Sequence, residues 1–546
     1  MWAGLLGPVD TSGARRTAVM DSVRTLSHGE LRTRVDAFAA RLMQLGVRPG
    51  DKVLIVTGKD VETVVALYAV MRCGAAYVPV DRAAPLARQL AIATEVSARV
   101  CIAPGERLAA LQAACGTVVD LGTVLQAPEV PAAFPALQPD GVAYLIFTSG
   151  STGRPKGVVI THGNLAALFG AHRASMQMDE RSVCMNTTPF HFDGSVGDCL
   201  FPLSLGAAVQ LAPALPVPTT LLRLMQDRRV THLCIVPSSL DRLAEVGATE
   251  RVYDLSHLQT LIFGGEAADV QLLERWRKAW PQLRLINGYG PTEACYVCVS
   301  RVWEPGEPLG KGPLPIGRPY RDMRAVLLDD EGQLLHEVAD GMPAAGDRLI
   351  EGELALAGPQ LSPGYWQRPV EDARAFVQLG GERFYRTGDI CRLDDAHELV
   401  YCGRKDAEAK INGYRIHMAE VQAGLCEQDL VRDCLAFPVR LAGKPAALGC
   451  ALACSREVTR AEVLACARAA QERLPTYMVP KYFLVVSGGW PLLPSGKADV
   501  RKVSALLHDC LATTEDSVFF TAADGQPASL ACIQGLQKKE STWTKN

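Results

Sequence analysis

At 546 residues the chain exceeds the size at which one hydrophobic core stops growing, and 48% hydrophobic with 21% charged residues is a globular balance. Its 56 Lys and Arg against 59 Asp and Glu give a net charge of -3, which lacks the basic excess that nucleic-acid binding needs. No basic segment precedes the short apolar run at the start, and the most apolar stretch, Val61 to Val80, is interrupted by Glu62, Arg72, Gly74 and Pro79, so neither secretion nor membrane insertion is expected. The 17 scattered cysteines suit free thiols in a reducing cytoplasm.

Ser27 and Glu30 have capping-box spacing, and Leu31, Val35, Phe38 and Leu42 recur on one helical face until Gly46. After this helix come the strand-like KVLIV from Lys52, a helical run from Val61 to Arg72, and AAYVPV. Further buried strands are expected around Cys101, Leu145, Ile160, Cys234 and Ile262, an alternation that predicts an α/β fold with parallel sheets. Cys295 and Cys298 form the sole Cys-x-x-Cys; without a second pair they read as strand thiols, and no metal is assigned to them. The character changes late. KINGYRI, Lys410 to Ile416, has an Asn-Gly pair between β-prone residues, a hairpin signal, with a helix expected from about Met418. The expected organisation is a large body over 1–405, a small α+β domain over 406–506, and a polar tail over 507–546.

The segment Thr148 to Gly157, TSGSTGRPKG, sets hydroxyls, glycines and Lys156 directly after a strand. Glycines let backbone N–H groups crowd an anion, hydroxyls add donors and lysine adds charge. The order of a Walker A loop is absent, and by itself the segment could equally be a surface turn. Other blocks follow it: NGYGPTE (Asn287 to Glu293), GYW at Gly364, YRTGD (Tyr385 to Asp389), GRKD (Gly403 to Asp406), KINGYRI, and LPSGK (Leu493 to Lys497). Taken singly, YGPTE reads as a turn, Thr-Gly-Asp as a cap or turn, and Lys497 as a solvated loop residue.

In this order the blocks resemble the adenylate-forming superfamily, which holds acyl- and aryl-CoA synthetases, firefly-type luciferases and the adenylation domains of nonribosomal peptide synthetases, over roughly residues 25 to 505. The resemblance implies a large N-terminal body of several subdomains and a small mobile C-terminal lid, with ATP and Mg²⁺ as reactants. It implies that Thr148, Ser149, Gly150, Ser151, Thr152 and Lys156 grip phosphates. Asn287, Gly288 and Tyr289 would face adenine, Thr292 the α-phosphate and Glu293 the metal. Asp389 would accept from the ribose hydroxyls, with Tyr401 and Arg404 also lining the nucleotide. Lys497 would hold carboxylate and phosphate together in the first half-reaction. Asp406 would be the hinge that brings Lys410 forward for transfer to a thiol.

FHFDGS at Phe190 to Ser195 is similar to the Phe-Asp-x-Ser of the amino-acid-activating members, with Phe192 before Asp193, whose carboxylate would pair with an α-ammonium. The alignment is arguable, because PFHFDG also resembles a Pro-x-Phe-His block of the CoA synthetases, with His191 beside the carboxylate. The resemblance lines the side-chain pocket with Gly194, Gly197, Ile235, Ile262, Gly264, Gly288, Tyr296 and Val297. With four glycines and no charge but Asp193, the expected side chain is bulky and uncharged. The function expected is that of a free-standing enzyme activating an α-amino acid for a phosphopantetheinylated carrier protein in trans, with a small activator protein as a further possible partner. An acyl- or aryl-CoA synthetase and a catalytically inactive nucleotide-binding scaffold are the alternatives.

Overall fold

The expected capping box forms: Glu30 N donates to Ser27 Oγ at 3.3 Å, Ser27 N donates to Glu30 Oε2 at 2.8 Å, and helix His28–Gln44 follows. Leu31, Val35, Phe38 and Leu42 are all buried on its inner face, and Gly46 turns the chain away at φ +94. The computed structural model describes residues 2–6, 13–129, 132–150, 154–214, 216–310, 312–338, 350–405, 408–439, 446–486, 490–491, 498–513 and 516–520. The chain divides into two compact units, one of Met1–Arg82, Gln89–Thr148 and Lys156–Asp406, the other of Ala83–Arg88, Ser149–Pro155 and Ala407–Asn546.

Within the first unit, two sheets have parallel centres. One contains Lys52–Thr57, Ala76–Asp81, Val100–Ala103, Thr117–Asp120 and Val142–Thr148 as parallel neighbours, with Lys156–Thr161 and Gly364–Tyr365 added antiparallel. The other is parallel through Thr17–Met20, Ala208–Leu211, Val183–Asn186, His232–Ile235, Thr260–Gly264 and Arg284–Tyr289. Helix Val61–Arg72 is buried along nearly its whole length, which is why its sequence is apolar without being amphipathic. A third sheet, built on Arg324–Leu328, Glu351–Ala357 and Glu382–Leu393, is antiparallel throughout. It was not among the strands expected.

In the second unit, Glu408–Ile411 and Tyr414–His417 pair antiparallel around Asn412 and Gly413, both at positive φ (+51 and +82), the primed turn that Asn-Gly favours. Helix Met418–Cys426 follows, as the sequence predicts. Val431–Val439, Ala447–Cys454 and Tyr482–Val485 form a sheet against it. The polar tail expected from Leu507 needs correction. Helix Val500–Thr513 buries Val503, Leu507, Cys510 and Leu511, and Val518–Phe520 pairs parallel with Tyr482–Val485, so the packed unit continues to Phe520.

Among the described residues, every cysteine is a free thiol, no group of His, Cys, Asp and Glu could hold a metal ion by itself, and no helix is long and apolar enough to cross a membrane. Thirteen of these thiols are buried, while Cys402 and Cys426 are exposed.

Candidate functional site

The parallel strands Val183–Asn186, His232–Ile235, Thr260–Gly264 and Arg284–Tyr289 end on one edge of their sheet, and the carboxyl ends of parallel strands are where ligand-binding loops emerge. After Asn186 the chain turns back and enters a π-helical turn over Val196–Leu200, an irregularity common at functional sites. A buried polar network holds that turn. Asp198 Oδ2 accepts from Thr187 N at 3.0 Å and Thr188 N at 2.9 Å, and Oδ1 accepts from Asn186 Nδ2 at 2.5 Å. Lys59 Nζ donates to Thr188 O at 2.7 Å, Asn186 O at 3.1 Å and the Asn186 side chain. Burial pushes the Asp198 carboxyl up against the pull of Lys59, and burial brings the Lys59 ammonium down to about 8. Sequence reasoning missed both residues. The available signal was an acid inside the apolar run VGDCLF.

This loop carries His191, Phe192 and Asp193. The rings of His191 and Phe192 lie 4.4 Å apart, and His191 Nε2 is 3.9 Å from Asp81 Oδ2. Asp193 is half-buried. Its charge acts on Tyr144, Cys295 and Tyr296, each driven upward first by burial and further by this carboxylate, the Cys295 thiol to about 12. Asp193 therefore faces three groups that stay neutral at ordinary pH. Ile235 and Ile262 are buried in the adjacent strands, and Gly264 pairs with Gly288.

The four glycines of this region do not leave the room expected of them. A Cβ at Gly194 would lie 2.9 Å from Thr188 Oγ1, and one at Gly288 2.9 Å from a Val297 methyl. At Gly264 it would run into the Gly288 carbonyl, and at Gly197 into the Tyr296 ring. Small residues here admit neighbouring chain atoms rather than a large ligand. The expectation of a bulky side chain, which rested on those glycines, is corrected by this packing.

A second cluster of the same unit joins Lys156, Glu293 and Tyr365. Lys156 Nζ donates to Tyr365 Oη at 2.8 Å and stands 3.4 Å from Glu293 Oε1, while Tyr365 Oη donates to that oxygen at 2.6 Å. Glu293 is wholly buried. Tyr365 lies in the GYW block but was given no role from sequence; its hydroxyl ties the loop lysine to the carboxylate. Thr292 opens the short turn Thr292–Ala294. Thr148 Oγ1 is buried with no hydrogen-bond partner among the described residues, and a phosphate oxygen would satisfy it.

Asp389 anchors a third group, accepting from Tyr289 Oη at 2.5 Å on one oxygen and from Arg404 Nη1 at 2.8 Å on the other. Tyr401 and Arg404 lie on the strand paired with that of Asp389. Asn287 Nδ2 donates to Pro315 O at 2.9 Å. Together an orphan hydroxyl, a lysine and a buried carboxylate form a donor set suited to a polyphosphate with a hard divalent cation. In the second unit, Ser149 Oγ donates to Arg415 O and accepts from His417 N, both at 3.0 Å, and Lys410 sits opposite Arg415 in the hairpin. Gly150 ends the described part of its loop; Ser151, Thr152, Asp406 and Lys497 lie outside the described residues.

Residues 9–366 match the family model of the AMP-binding enzymes. The chain belongs to that family. Among curated relatives, an L-proline--[L-prolyl-carrier protein] ligase of Streptomyces coelicolor is 32% identical over 91% of this chain and 95% of its own. The phosphinothricin tripeptide synthetase PhsB of Streptomyces viridochromogenes is 33% identical over 94% of this chain, which spans only 43% of that synthetase. The solved structure of an artificially fused adenylation-PCP di-domain from Klebsiella oxytoca, NpsA-ThdA, superposes with a TM-score of 0.73 at 25% identity, covering 86% of this chain and 90% of that one. The AMP-binding family thus accounts for the mixed α/β architecture and its parallel sheets, and the adenylate-forming superfamily expected from the motifs is the one found.

Proposed function

We propose that this AMP-binding enzyme activates an α-amino acid as its aminoacyl-AMP and passes the acyl group to the phosphopantetheine thiol of a carrier protein in trans. A carboxylate oxygen of the amino acid bonds to the α-phosphorus of ATP as the bond to pyrophosphate breaks. The thiol sulfur then attacks the acyl carbon, losing its proton, and AMP leaves. Mg²⁺ held by Glu293 would neutralise charge on the phosphate oxygens, and Lys156, Thr148, Thr292 and the other loop residues would orient them. Lys497 would bridge the attacking carboxylate and the α-phosphate, and Lys410 would serve the transfer step. Asp389, Arg404, Tyr401, Asn287 and Tyr289 would hold the nucleoside.

The observation that carries the amino-acid reading is the Asp193 carboxylate facing neutral Tyr144, Cys295 and Tyr296 at the carboxyl ends of the parallel strands. An ammonium brought there gains a charge-assisted hydrogen bond, whereas an acid without an amine leaves the carboxylate uncompensated. The similarity to a prolyl-carrier ligase over nearly both full lengths supports the same reading.

The test is amino-acid-dependent ATP–pyrophosphate exchange, followed by mass spectrometry of a carrier protein and of CoA offered as acceptors. Asp193→Ala is expected to lower exchange by roughly a hundredfold or more while ATP binding persists. Exchange driven by acids lacking an amine, with CoA as the acylated product and no loss in Asp193→Ala, would establish the CoA-ligase alternative instead.

A further inference from the structure

The geometry points to Tyr296 as a size gate that restricts the enzyme to amino acids with small uncharged side chains: hydrogen, methyl, hydroxymethyl or the pyrrolidine ring of proline. The inference rests on Asp193 as the ammonium anchor, and it fixes what that site accepts.

Once Asp193 holds the α-amino group, the substrate side chain must enter the space that Asp193 shares with its electrostatic neighbours, and Tyr296 is one of these. The Tyr296 ring lies directly on Gly197. A Cβ there would be 3.0 Å from both Cδ1 and Cζ of that ring, and closer still to Cε1. Val297 occupies the space over Gly288 in the same way. The volume that a bulky side chain would use is therefore already filled by the protein.

The ring is also fixed in place. Its hydroxyl is 3.2 Å from Cys234 Sγ, and His172 meets it edge-on with centroids 5.9 Å apart at 73°. Burial holds His172 down at about 3, so this neighbour is an uncharged ring at physiological pH. The backbone adds to the constraint, since Cys295 and Tyr296 both take positive φ, +57 and +83, which side-chain-bearing residues adopt rarely. Gly290 permits this path, because a Cβ there would strike the Tyr296 carbonyl. Swinging the ring away would break contacts on several sides of a strained segment.

The experiment is the exchange assay with the full chain across glycine, alanine, serine, proline, valine, leucine, phenylalanine and tryptophan, for wild type, Tyr296→Ala and Tyr296→Phe. Wild type is expected to prefer the four small substrates, with roughly tenfold or more lost in kcat/KM for each methylene beyond the pocket. Tyr296→Ala is expected to shift the preference towards leucine and phenylalanine, and Tyr296→Phe to keep the wild-type ranking. A wild-type preference for leucine, phenylalanine or tryptophan overturns the gate while leaving amino-acid activation intact, even where a variant fails to fold. A Tyr296→Ala enzyme that is folded, active and unchanged in its ranking also overturns it. Exchange with no amino acid at all overturns the anchor reading, and the gate with it.

Discussion

Lys59 and Asp198 touch none of the residues that the sequence motifs single out, yet they hold the turn from which Asp193 projects. The Lys59 ammonium binds two carbonyls and an amide oxygen while burial lowers it to about 8. Because this is below its ordinary value of 10.5, the unfolded chain binds the proton more tightly than the folded one between those limits. The folding penalty for keeping Lys59 charged is thus full below about pH 8 and is relieved as pH rises towards 10.5. Lys59→Met strands the Asn186 and Thr188 carbonyls and leaves Asp198 without its balancing charge, an expected loss of about 3 kcal/mol. Urea unfolding at pH 7 and at pH 9.5 checks both points: the variant is the less stable at each, and the gap widens at the higher pH. Residues of this kind are hard to find in a sequence. Motifs mark groups that meet ligands, whereas Lys59 and Asp198 meet only the chain, and their pairing joins positions distant in sequence. The phosphate-loop lysine and the Tyr289, Glu293 and Asp389 positions, by contrast, were legible, because each sits in a block with its own spacing.

At the level of elements, legibility followed burial. Strands buried on both faces, such as Lys52–Thr57 and Thr260–Gly264, write themselves as continuous apolar runs and were read correctly. The antiparallel sheet was missed because its longest strand, Glu382–Leu393, turns Thr387 and Asp389 inward where apolar residues would have marked the alternation. Polar groups on an inward face are what a site needs, so the region richest in chemistry carried the weakest strand signal. Glycines illustrate the same dependence on surroundings. Gly264→Ala would drive a Cβ into the Gly288 carbonyl across a parallel pair, an expected loss of about 1–3 kcal/mol. Gly170, exposed on helix His162–Ser175 with nothing within 4 Å of its absent Cβ, should gain about 0.5–1 kcal/mol on change to Ala. Thermal unfolding of the two variants, side by side, checks opposite signs for one chemical change.

On the scale of the whole molecule, size and composition predicted a large body with a smaller domain, and the C-terminal elements show where that reading stopped short. Val503, Leu507 and Leu511 recur every fourth residue, a helical stripe masked by the charged and polar residues between them. The distribution of thiols has its own consequence. Cys402 in the first unit and Cys426 in the second are exposed, whereas most of the other described cysteines are sealed in cores, many held protonated by burial, as Cys73 and Cys234 are at about 12. Each interior thiol becomes reactive only when its own surroundings open. Pulse alkylation along a denaturant series, read by peptide mass, is expected to modify Cys402 and Cys426 first and the remaining described thiols in groups, Cys434, Cys450 and Cys466 of the second unit as one set. Simultaneous modification of all of them would mean that both units melt as one. The chain thus carries an internal clock for its own unfolding, with a separate hand for each unit and no probe to be introduced.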